Sequence, residues 1–137
     1  MKPVLVDTSL WVEWMRGRHA SSRESLRGKR HYLSAINMTE LLAGVSKSAH
    51  SHSAKKDLDR FFGIYRRHHR VLVPLLEDFV LAGEILCELG WPASKKTNDV
   101  LLACCARRIG AEIWTLDKKD FLPVCAELKI SLADLGA

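Results

Sequence analysis

"VLVDTSLWVEWMRG", residues 4 to 17, joins a short β-prone run to a helical stretch through a single aspartate. Val4, Leu5 and Val6 are apolar without alternation, as in a strand covered on both faces. After Asp7, Leu10 and Trp14 recur on one helical face with Trp11 and Met15 beside them, and Gly17 offers a stop. Strand, carboxylate and helix in that order predict the opening of an α/β fold. Asp7 has a plain structural explanation, because Asp is a favoured N-cap whose oxygen accepts from the free N–H groups of the first turn. It also stands where open parallel sheets gather ligands, beyond the carboxyl end of a strand.

The rest of the chain continues the alternation. "HYLSAI" (31–36) predicts a strand, and "NMTELLAGVSK" (37–47) a helix with Leu41, Leu42 and Val45 as its apolar stripe. Residues 50–69 predict a helix through Leu58, Phe61, Phe62 and Tyr65, and "RVLVPLL" (70–76) a strand interrupted by Pro74. "EDFVLAGEILCELGWP" (77–92) predicts a largely buried helix, and "TNDVLLACCARRIG" (97–110) another. "EIWTL" (112–116), "KKDFLPVCAEL" (118–128) and "KISLADL" (129–135) predict strand, helix and a final short strand. Such an alternation without hairpin signals points to a three-layer α/β/α fold around a central parallel sheet. The length fits one domain, 1–137.

With 47% hydrophobic and 27% charged residues, the composition is that of a globular protein rather than a disordered one. Lys and Arg exceed Asp and Glu by 21 to 16, a net charge of +5. The excess gathers at 16–19, 27–31, 66–70, 95–96 and 107–108. Such clusters neutralise phosphates, although solvated helix ends also produce them. Cys87, Cys104, Cys105 and Cys125 lack a C-x-x-C spacing and read as reduced core thiols. No signal-peptide pattern precedes Asp7, and "FVLAGEILCELG", with Glu84 and Glu88, is too short to span a bilayer. A cytoplasmic protein with no membrane attachment is expected.

The acids carry the functional question. Asp7 and Asp117 follow strands and should project at the same sheet edge. Glu40 in "NMTE" fits an Asn-x-x-Glu capping box, Asp99 fits the first turn of its helix, and Asp117 and Asp120 in "DKKD" fit caps. Each has a structural explanation taken singly. Taken together they would repel one another and raise each other's pKa, a conflict that a bound cation resolves. Carboxylate oxygens suit Mg²⁺ or Mn²⁺, ions that lower the pKa of an attacking water and stabilise a departing oxygen. The sequence lacks GxxxxGK[ST], GxGxxG, HExxH and GxSxG patterns. His50, His52, His68 and His69 lie in polar or basic surroundings and read as solvent-facing or phosphate-contacting; Trp11, Trp14 and Trp114 read as core.

In this order, "VLVDTS", "TELLAG", "NDVLLACCA" and "IWTLDKKDF" resemble the four motifs of the PIN-domain ribonucleases, and among them the small VapC-type toxins of toxin–antitoxin pairs. The resemblance implies a Mg²⁺- or Mn²⁺-dependent endoribonuclease with Asp7, Glu40, Asp99 and Asp117 in a shared metal site. Thr8, Ser9 and Thr115 would support that site with hydroxyls, and Asp120 would be a further acid. It further implies an RNA substrate, a homodimer, and a cognate antitoxin whose tail fills a basic groove. "SKKTND" departs from the pattern, setting Lys95, Lys96 and Thr97 where a more apolar approach to Asp99 is expected. Two other readings of the same fold are a housekeeping RNA-processing nuclease and a non-catalytic RNA-binding domain. A phosphotransferring enzyme of the haloacid dehalogenase type is disfavoured, because its pattern wants a second Asp two residues after Asp7 and position 9 is Ser.

Overall fold

Four parallel strands form the middle layer of the molecule, in the order β3-β2-β1-β4. They are β1 (Val4–Val6), β2 (His31–Ser34), β3 (Val71–Leu72) and β4 (Glu112–Trp114). The computed structural model describes residues 2–45 and 51–135. Between β1 and β2 lie α1 (Thr8–Met15) and α2 (Ala20–Ser25), and between β2 and β3 lie α3 (Ala35–Val45) and α4 (Ser51–Arg67). Helices α5 (Leu76–Leu89) and α6 (Ala93–Ile109) connect β3 to β4, and α7 (Lys118–Leu128) follows β4.

The two-residue period of the strands divides the core in two. Leu5, Leu72 and Ile113 face α5, α6 and α7, whereas Val4, Val6, Leu33 and Trp114 face α1, α3 and α4. Each large side chain buried in this way contributes roughly 1.5–3 kcal/mol. On the second face Trp11, Phe61 and Tyr65 meet edge to face at 5.1–5.8 Å between ring centroids, the arrangement that aromatic quadrupoles favour. The expected α/β/α layering is therefore present, as are the buried Trp11, Trp14 and Trp114.

Several boundaries differ from expectation. The second strand stops at Ser34 because the Ser34 hydroxyl accepts the Ile36 N–H at 3.0 Å and caps α3, drawing Ala35 and Ile36 into the helix. Within α3, Leu41 is buried but Leu42 is exposed. The strand around Pro74 shrinks to Val71–Leu72, since proline has no N–H to give a ladder and the chain turns into α5. Helix α5 is apolar but not largely buried: Leu76 is 80% exposed, with Phe79 and Val80 also open. "KISLADL" forms no full strand; it runs beside β4 through an isolated Ile113–Leu132 bridge with two backbone hydrogen bonds at 3.0 Å. Helix α2 escaped the sequence reading because "ASSRES" has no apolar period. Cys104, Cys105 and Cys125 are buried and unbridged, whereas Cys87 is exposed rather than core. No described helix is long and apolar enough to cross a membrane.

Candidate active site

Asp7 lies just past β1 and is 5% exposed. Its carbonyl accepts the Leu10 and Trp11 N–H groups, so the residue holds the N-cap position of α1, yet its carboxylate makes no cap. Asp7 Oδ2 instead accepts from Ser9 Oγ at 2.9 Å and from Thr115 Oγ1 at 2.8 Å. The β1–β4 register, which sets Val6 against Trp114, delivers Thr115 to this position. The helix-starter explanation therefore accounts for the Asp7 backbone and not for its charge.

The capping box expected of Asn37 and Glu40 does not form, because Ser34 already caps α3 three residues earlier. Asn37 is wholly buried, with its amide 2.8 Å from Thr8 Oγ1. Thr8 Oγ1 in turn donates to Glu40 Oε1 at 2.7 Å. Glu40 is thus aimed from the middle of α3 back to the start of α1.

Asp99 also differs from expectation, since α6 begins at Ala93 and Asp99 is its seventh residue, beyond the reach of the N-terminal dipole. The polar "ASKK" stretch (93–96), ahead of the helix expected from Thr97, hid the true start. Burial, and then the charges of Asp7, Asp120 and Glu40, push the Asp99 carboxyl up to about 6 against the pull of Lys96. Asp117 holds the N-cap position of α7 without a side-chain cap, its pKa raised by burial and then by Asp7 and Asp120. Acids from elements distant in sequence thus act on one another: Asp99 feels Asp7, Asp120 and Glu40, and Asp117 feels Asp7 and Asp120.

Asp120, expected as a cap or further acid, accepts from Lys96 Nζ at 2.9 Å. Lys96 is the site residue that sequence reasoning missed. The available signal was its position three residues before Asp99, which places both on one face of α6. Arg108 departs from the phosphate-contacting expectation for the 107–108 cluster: it pairs with buried Asp78 at 2.9 Å and donates to Val73 O at 3.1 Å. His52, His68 and His69 are exposed, and His50 lies outside the described residues.

All the acidic donors are hard oxygens, and the neighbouring carboxylates add to the burial that raises the Asp99 pKa. Among the described residues no three His, Cys, Asp or Glu side chains close on one point tightly enough to hold an ion together. Mg²⁺ needs only one or two carboxylates, taking water and substrate oxygens for the rest. The donor set fits such an ion on those terms.

Beside Glu40, α1, α2, α3 and α4 enclose a groove of about 850 Å³ whose walls include Trp11, Met15, Arg23, Leu41, Leu58 and Phe61. Trp11 Nε1 is buried here without a hydrogen-bond acceptor among the described residues.

This architecture is that of the PIN domain, whose sequence pattern matches residues 4–126; the chain belongs to that family. Among solved structures, it is similar to VapBC-1 from nontypeable Haemophilus influenzae, with TM-score 0.70, 22% identity, and 97% of this chain and 98% of that one covered. DNA-bound VapBC from Salmonella typhimurium gives TM-score 0.73 and 22% identity, covering 99% and 100% of the two chains. FitAB bound to an IR36 DNA fragment gives TM-score 0.77 and 17% identity, covering 96% and 94%. At these identities the likeness establishes the fold. A comparison with curated proteins finds no significant match.

Proposed function

We propose that this chain is a Mg²⁺- or Mn²⁺-dependent endoribonuclease and the toxin of a toxin–antitoxin pair, acting in the cytoplasm. The observation that carries the reading is the meeting of acids from separate elements at Asp99, whose carboxyl is raised first by burial and then by Asp7, Asp120 and Glu40. Membership of the PIN family supports nuclease chemistry, and the VapBC neighbours support an antitoxin partner.

Asp7 and Asp99 would hold the ion, with Glu40 and Asp117 completing the pocket or positioning the attacking water. When bound, the ion supplies the positive charge that makes water nucleophilic and offsets the leaving oxygen. Ser9 and Thr115 fix the Asp7 carboxylate and Thr8 fixes Glu40, so the acids are oriented before RNA arrives. In-line attack at phosphorus would leave a 5′-phosphate and a 3′-hydroxyl, while surface Lys and Arg hold the backbone by charge. The groove beside Glu40, largely apolar with Arg16 and Arg23 set against Glu40 and Asp57, is where an antitoxin tail would lie. The open apolar surface of α5, at Leu76, Phe79 and Val80, supports a homodimer.

RNA cleavage by the wild type and by Asp7→Asn and Asp99→Asn, with Mg²⁺ or Mn²⁺, tests the reading. Each variant should lose at least about a hundredfold in rate, as expected for removal of a metal-holding or charge-stabilising group; near-normal rates in both would remove the assignment. Growth arrest on expression without the antitoxin separates the toxin from a housekeeping nuclease.

A further inference from the structure

Lysines 95 and 96 stand in the first turns of α6, where the helix dipole disfavours cations. Something other than local preference holds Lys96 in place. Its ammonium reaches Asp120 Oδ1 at 2.9 Å and lies 5.6 Å from the centre of the Trp91 ring, so it is fixed by an ion pair and a cation–π contact. Its side chain is 30% exposed, and the charges of Asp99 and Asp117 also act on it. The pocket is therefore uneven. On one side Lys96 balances Asp120; on the other, Asp7 and Glu40 receive only hydroxyl hydrogen bonds, and no described cation lies within ion-pair distance of Asp7, Glu40 or Asp99.

We propose that Lys96 is a built-in cation of this pocket: its ammonium satisfies the Asp120 side, leaves Asp7 and Asp99 to take a single divalent ion, and repels a second. This rests on the reading above that the acids bind Mg²⁺ or Mn²⁺. A positive charge fixed 2.9 Å from Asp120 Oδ1 opposes any further dication that would bind through Asp120. The ion pair also removes an Asp120 oxygen from those available as ligands. The lysine that breaks the expected approach to Asp99 thereby sets the metal stoichiometry.

The test is Mn²⁺ binding to the full chain, followed by calorimetry and by the loss of the free-ion paramagnetic resonance signal. The wild type should bind one ion and K96R one, whereas K96M and K96Q should each bind two. K96M should also take its first ion about tenfold more tightly, a change of about 1.4 kcal/mol. Equal stoichiometry in the wild type and both neutral variants overturns the proposal, including the case in which K96M only weakens RNA binding. Asp7→Asn should abolish the first ion in either background. If the wild type binds no Mn²⁺ at all, the metal-dependent function itself fails, an outcome distinct from an unchanged count.

Discussion

Thr8 and Glu40 are joined at 2.7 Å, the threonine hydroxyl donating to the glutamate across 32 positions of sequence. This contact fixes the angle at which α3 offers its carboxylate to the pocket. Thr8→Val keeps the β-branched shape and deletes the donor. Activity should fall about 10–100-fold, the cost of losing a partner that orients a ligand, while Thr8→Ser should recover most of it. Cleavage rates and thermal melts of both variants check this; a Thr8→Ser variant as weak as Thr8→Val would mean that the methyl group, not the hydroxyl, matters.

Asp99 makes the metal-free fold sensitive to acid in an uncommon direction. Its folded pKa, about 6, lies above the ordinary carboxyl value, so its ionisation costs stability above that pH. As the pH falls from 7.5 through 6 toward 4, Asp99 gains a proton in the folded state and its contribution improves. His31 works the other way, because burial chiefly lowers its pKa and its protonation below pH 6.5 opposes folding. The informative quantity is therefore the difference between Asp99→Asn and the wild type in the absence of metal. The variant should melt higher at pH 7.5, and the two should converge by pH 4.5. A variant that melts lower at every pH would show that Asp99 stabilises the fold.

Chelation gives a related prediction. Mn²⁺ at a hundred times its dissociation constant should stabilise the wild type by about 2.7 kcal/mol through mass action, and EDTA should reverse the shift. Asp7→Asn should show no such shift. Differential scanning calorimetry with and without Mn²⁺ decides it.

Asp78 is 2% exposed and depends on Arg108 for its counter-charge at 2.9 Å. Arg108→Ala strands that carboxylate in the core, at a cost of about 3–5 kcal/mol. The double variant Asp78→Leu with Arg108→Met should regain most of the loss. Denaturant unfolding of the two proteins measures this; a stable single variant would show that water reaches Asp78 freely.

The layered architecture was readable because each strand is apolar and each core helix keeps its period, as from Leu10 to Trp14. Boundaries failed where a side chain overrode the pattern. Ser34 captured the Ile36 N–H and moved the start of α3, and the polar start of α6 concealed its first four residues, 93–96. The acids of the pocket stood out as chemistry attached to strand ends and motif positions. Lys96 stood out only as a departure before Asp99; its partner Asp120 lies 24 positions away, and neither propensity nor period encodes that meeting. The same limit hid the Asp78–Arg108 pair, of which only Arg108 was read, as part of a basic cluster.

The hydrogen bond from Thr115 to Asp7 spans 108 positions and depends on β4 pairing beside β1. During synthesis the first strand leaves the ribosome long before its partner exists. A nascent or prematurely terminated chain lacking β4 therefore carries Asp7 without the neighbour that orients it, however much of the amino-terminal portion has been made.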